Sequence, residues 1–97
     1  MRNVVQLSKN AEKSLKKAPK HVQDKASFWK KLVEMQGLRK IREIKGFHDE
    51  PLKGDRRGQR SIKLNVQWRA IYETRIDESG LETIELVEVI EVTPHKY

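Results

Sequence analysis

The chain has no cysteine. That removes a disulfide framework, a thiol nucleophile and any cysteine-bound metal. It also has no long apolar run. The opening residues Met1-Arg2-Asn3-Val4-Val5-Gln6-Leu7 are broken by polar side chains, so neither a signal peptide nor a membrane span is expected, and the chain reads as cytosolic and soluble. Histidines are few, at positions 21, 48 and 95, and lack the spacing of a metal site. No glycine-rich phosphate loop runs into a helix. Repeats and low-complexity segments are missing too, so the 97 residues are expected to form one domain, 1–97.

What the chain has is positive charge. It carries 21 Lys+Arg against 14 Asp+Glu, a formal net charge of +7. A small basic domain suits an anionic partner, nucleic acid first among them, although surplus lysine on a soluble surface remains the plain alternative. The charge is also sorted along the chain. Residues 1–76 hold 20 of the basic side chains and 8 of the acids, whereas 77–97 hold Lys96 and six acids. The expectation is a molecule with one positive part and one negative part.

The apolar pattern predicts an α+β domain. Asn3 to Leu7 reads as an opening strand. Ser8 follows as a helix N-cap, with Ala11, Leu15 and Ala18 at helical spacing behind it. Pro19 ends that helix and suits the first turn of the next. Val22, Ala26, Trp29 and Val33 then recur on one helical face, and Gly37 is the stop. The two helices form a helical hairpin whose apolar side needs a sheet. Leu38 to Ile44 fits a short helix or an irregular crossing. Lys45 to Gly58, rich in glycine and charge, reads as loop. Arg60–Leu64, Trp68–Thr74 and Leu86–Val92 read as strands of an antiparallel β-meander.

Four places carry candidate chemistry. Lys53, Arg56, Arg57, Arg60 and Lys63 crowd one short stretch beside Gly54 and Gly58, which fits phosphate contact or a solvated loop. Arg69 lies in a strand that is otherwise apolar, where it stacks, pairs with a carboxylate or faces an active site. Glu50 precedes Pro51, which restricts it to extended backbone; it is either a solvated carboxylate or a base. The tail Thr93-Pro94-His95-Lys96-Tyr97 offers a proton donor and a stacking ring, or is a frayed end.

The run from Glu50-Pro51-Leu52-Lys53-Gly54 through Gly58, Ser61-Ile62, Asn65 and Gln67-Trp68-Arg69 resembles the RelE/ParE toxin superfamily. It is most similar to the HigB branch; its Glu-Pro-Leu-Lys segment also resembles YoeB. The run covers about a quarter of the chain, and the order of elements matches as well. The resemblance implies a RelE-like two-layer ribonuclease fold and the toxin of a type II toxin–antitoxin system. It implies a ribosome-dependent mRNA endoribonuclease that uses no metal and no cofactor, in which the neighbouring 2′-hydroxyl attacks the phosphate. Glu50 would be the base, Arg69 the phosphate clamp, Lys63 a second active-site cation, and His95 and Tyr97 the acid and the stacking ring. Lys53, Arg56, Arg57 and Arg60 would bind RNA. Two departures stand out: Ser61 replaces a lysine of RelE, and Lys96 separates His95 from Tyr97, which leaves Lys63 and Lys96 as alternative proton donors. The implied partners are a cognate antitoxin, of the helix-turn-helix HigA-like kind, and the ribosome with its mRNA. DNA would be met only through the antitoxin. The alternatives are a ParE-like gyrase inhibitor and a catalytically inactive RNA-binding protein on the same fold.

Overall fold

Ser8 sets the first corner of the chain. Its backbone is extended and its hydroxyl accepts the Ala11 N–H at 3.0 Å. The same hydroxyl donates to the Ile90 carbonyl at 3.0 Å. One side chain thus caps a helix, as its sequence position predicts, and ties it to the last strand. In the computed structural model, which describes residues 2–78 and 80–94, strand β1 (Arg2–Leu7) leads into α1 (Lys9–Lys17) and α2 (Lys20–Gln36). Pro19 is the N-cap of α2 rather than its first helical residue, because its ψ of 150° is extended. Gly37 ends α2 at φ 91°, a backbone glycine adopts at no steric cost. The segment after it is a helix, α3 (Leu38–Arg42), which buries Leu38 and Ile41.

Four further strands complete a five-stranded sheet: β2 (Glu50–Pro51), β3 (Arg60–Lys63), β4 (Trp68–Asp77) and β5 (Ile84–Pro94). The order across the sheet is β1-β5-β4-β3-β2. The pairs β2/β3, β3/β4 and β4/β5 are antiparallel, and β1 runs parallel to β5 from Arg2↔Ile84 to Leu7↔Val89. This is the expected α+β layout, with β5 inside the sheet. The loop expected over Lys45–Gly58 is more ordered than its composition suggests. It contains two 3-10 turns, Lys45–Phe47 and Gly54–Arg56, with β2 between them. Pro51 is tolerated there because β2 is an edge strand.

The helices cover one face of the sheet. α1 packs on β5 and α2 on β1, burying Val5, Val87, Val89 and Val92 with Ala11, Val22, Trp29 and Val33. Trp29 meets Tyr72 of β4 with ring centroids 5.4 Å apart. Among the described residues the opposite face carries no helix, and successive strand residues alternate between the two.

The charge sorting seen along the chain is not kept in space. Arg2 pairs with Glu82 at 2.9 Å, Arg56 with Glu91 at 2.9 Å, and Arg75 with Glu88 at 3.8 Å. The expected separate negative part is therefore corrected. β5 pairs in the sheet with β1 and β4, so acids of the C-terminal segment are interleaved with arginines of the basic one.

Candidate active site

Sheet register builds the site. Glu50 lies opposite Ser61, Ser61 opposite Ile71, and Ile71 opposite Glu91. One step along, Lys63 lies opposite Arg69, and Arg69 opposite Thr93. Residues two apart on a strand share a face, so both rows stand on the side away from the helices. All of these but Lys63 line a groove of about 410 Å³, together with Leu52 and Arg56.

Arg69 is the fixed cation of this groove. Its side chain is 15% exposed. Its Nη1 stands 3.5 Å from Ser61 Oγ and 3.8 Å from Glu50 Oε1. Of the readings its sequence position left open, this is an arginine at a site and near a carboxylate at once. Glu50 is 49% exposed, and its second oxygen, Oε2, lies 3.4 Å from His48 Nε2. Its carboxylate therefore sits between an arginine and a histidine, through long contacts that leave room for a third group. Lys63 joins Arg69 by register.

The four residues expected to bind RNA separate into distinct environments. Arg56 is tied across the groove to Glu91 at 2.9 Å and to Gln59 at 3.1 Å. Lys53 and Arg57 are exposed on the turn around Gly54. Arg60 stands apart from these three. It lies opposite Tyr72, so it faces the helix side, and its Nε donates to Asp49 Oδ1 at 2.5 Å. Strand alternation turns it away from its neighbour Ser61. Burial works against its charge, but the hydrogen bond to Asp49 and the attraction of that carboxylate outweigh it and raise the guanidinium pKa.

Asp49 is the centre of that inner cluster. Its side chain is 1% exposed, and its other oxygen accepts the Tyr72 O–H at 2.5 Å. Burial pushes the Tyr72 phenol well above its usual range. The Asp49 hydrogen bond adds to this, while Arg42, whose Nε reaches the phenol oxygen at 3.4 Å, opposes it. The phenol donates to Asp49 and accepts from Arg42.

His95, Lys96 and Tyr97 lie outside the described residues. The last described pairs are Thr93↔Arg69 and Pro94↔Trp68. Sequence reasoning missed His48, Asp49 and Glu91 as parts of this region. His48 stands two residues before Glu50, which was the one available signal. Glu91 was visible only as a carboxylate in an apolar strand.

No family model and no curated protein matches the chain. Solved structures do. The DinJ-YafQ toxin–antitoxin complex of E. coli matches at TM-score 0.69 and 20% identity, over 98% of this chain and 94% of that one. The toxin–antitoxin complex RelBE2 from Mycobacterium tuberculosis matches at 0.64 and 18%, over 98% and 100%. The YoeB/ParE toxin from Agrobacterium tumefaciens matches at 0.61 and 20%, over 99% and 100%. The chain is similar to these proteins from end to end, and it has the fold of RelE-, YoeB- and YafQ-type toxins.

Proposed function

We propose that the chain is the toxin of a toxin–antitoxin pair and cuts mRNA on the ribosome. The observation that carries the reading is the grouping of Glu50, Ser61, Lys63 and Arg69 on the face of the sheet away from the helices, with Glu50 3.8 Å from a mostly buried Arg69. That set answers the needs of phosphodiester transfer. Glu50 takes the proton of the 2′-hydroxyl, and the freed oxygen attacks the adjacent phosphorus. Arg69, with Lys63 beside it, holds the charge that builds on the phosphoryl oxygens, a preorganised donor where charge develops. The bond to the 5′-oxygen breaks, leaving a 2′,3′-cyclic phosphate, and the leaving oxygen takes a proton. We assign that proton to His95 and stacking on a neighbouring base to Tyr97. The support is that β5 runs past Arg69 and ends at Pro94. Lys53, Arg57 and, once released from Glu91, Arg56 hold the flanking phosphates.

The partners follow from the same reading: an antitoxin, of the HigA-like kind implied by the motif, and the ribosome with its message. No described helix is long and apolar enough to cross a membrane. The test is cleavage of a labelled message in a translation extract, set beside gyrase supercoiling. Cleavage at defined positions with supercoiling untouched supports the nuclease. Inhibited supercoiling with intact message supports the ParE-like alternative instead, and binding to ribosomes without any cut supports the inactive RNA-binding protein.

A further inference from the structure

We infer that His48 is the positioning residue of the base, holding the Glu50 carboxylate from the side opposite Arg69. The inference rests on the reading of Glu50 as that base. Its geometry is independent of the reading.

Glu50 needs such a partner. It is half exposed, it has a long side chain, and it stands on an edge strand of two residues. A carboxylate in that setting samples several rotamers, and Arg69 restrains only one of its oxygens, at 3.8 Å. His48 Nε2 lies 3.4 Å from the other oxygen. The carboxylate then has a nearby partner at each oxygen, which narrows the rotamers it samples over the groove. Misplacement of a reacting group by about 1 Å costs on the order of a hundredfold in rate, so a restraint of this kind matters to the reaction more than to the fold.

The backbone points the same way. His48 has φ 48° and ψ 52°, and it is the one non-glycine residue with positive φ among the described residues. Side chains rarely adopt this left-handed conformation, and glycine adopts it freely. The position caps the turn Lys45–Phe47, its N–H bonding the Lys45 carbonyl at 3.0 Å. A glycine would serve that cap with less strain. The imidazole itself is 59% exposed, so it contributes little to the core. With little burial to set against this backbone conformation, the contact with Glu50 is what the imidazole adds at this position.

This leads to a test in which activity falls while stability does not. His48→Gly is expected to leave Tm unchanged or raised, and to lower kcat for message cleavage by roughly tenfold to a hundredfold with KM unchanged. His48→Gln, which carries an N–H at similar reach, is expected to restore most of the rate. In a Glu50→Gln background, His48→Gly should have no further effect, since the group it positions is gone. A His48→Gly protein that cuts like the parent overturns the inference. So does one that loses Tm and rate together, which is the mark of a purely structural residue. A His48→Gln protein as slow as His48→Gly also overturns it, because holding alone would then be insufficient. One readout needs no cleavage: NOEs between the His48 ring and the Glu50 γ-methylene protons in the intact protein. Their absence removes the pair whatever the protein does to RNA. Their presence in a protein that cuts nothing leaves the pair standing and sinks the nuclease reading instead.

Discussion

Asp49 and Glu50 are adjacent acids on the two faces of the sheet, and they meet opposite fates. Asp49 points under the helices, is 1% exposed, and has each oxygen filled at 2.5 Å, by Arg60 and by Tyr72. Glu50 points outward, is 49% exposed, and touches Arg69 and His48 only at 3.8 and 3.4 Å. A buried carboxylate with its acceptors filled has no room for a substrate and is costly to disturb. A half-open carboxylate with loose partners has room for one. Catalytic contacts in an unliganded site are often long and tighten only on binding. The same pairing of carboxylate and arginine therefore serves the fold on the inner face and, in our account, the reaction on the outer one.

The sharpest way to break this comparison is at Arg69. Arg69→Ala should lower message cleavage by on the order of 100- to 1,000-fold, the effect of losing one preorganised charge at a transition state. Circular dichroism should show the protein still folded. A folded variant that still arrests growth refutes the outer-face assignment. Truncation after Pro94 should come next. Pro94 belongs to β5 and pairs opposite Trp68, so the cut is placed beyond it. Loss of His95 as the acid should cost roughly a hundredfold in cleavage, while unfolding by urea should change by under about 1 kcal/mol. A parental rate moves the acid role to Lys63.

The inner face should respond in the other currency. Arg60→Ala leaves the buried Asp49 without its cation and should lower stability by about 3 kcal/mol in urea unfolding, the scale of breaking a buried pair. A loss near zero shows that Tyr72 alone satisfies Asp49. The smallest effect separates Arg60 from the exposed Arg57 in ribosome binding. Arg57→Ala should flatten the log–log salt dependence by about 0.7–0.9, one phosphate's worth of counterion release. Arg60→Ala should leave that slope as it was. A slope changed by Arg60 and not by Arg57 reverses the two assignments.

Much of this frame was readable in the sequence. The Ser8 cap, the Val22–Val33 stripe, the Gly37 stop and the alternating strands are local signals, each written within a few residues. The parallel pairing of β1 with β5 is not local, and nothing in either strand announces it. β2 was hidden for a different reason. Two residues in a glycine-rich charged stretch show no periodicity, and they form a strand only because β3 folds back beside them. Missing β2 meant missing which way Asp49, Glu50 and Arg60 point. Arg60 reads in sequence as one more cation of a basic run, and its inward turn opposite Tyr72 comes from the register. Arg69 and Glu50 were legible as residues, but their meeting at 3.8 Å is a product of register. The left-handed backbone of His48 left no trace in sequence.

The two adjacent acids allow the most direct paired measurement: urea unfolding and message cleavage for Asp49→Asn and Glu50→Gln, side by side. Asp49→Asn keeps one acceptor oxygen but sets its NH2 against either the Arg60 or the Tyr72 donor, and should lose about 2 kcal/mol of stability or more while retaining most of its cleavage well below its unfolding midpoint. Glu50→Gln should keep its stability within about 0.5 kcal/mol and lose roughly a hundredfold in cleavage. A Glu50→Gln protein that cuts at the parental rate, or an Asp49→Asn protein as stable as the parent, contradicts the division of labour between the two faces.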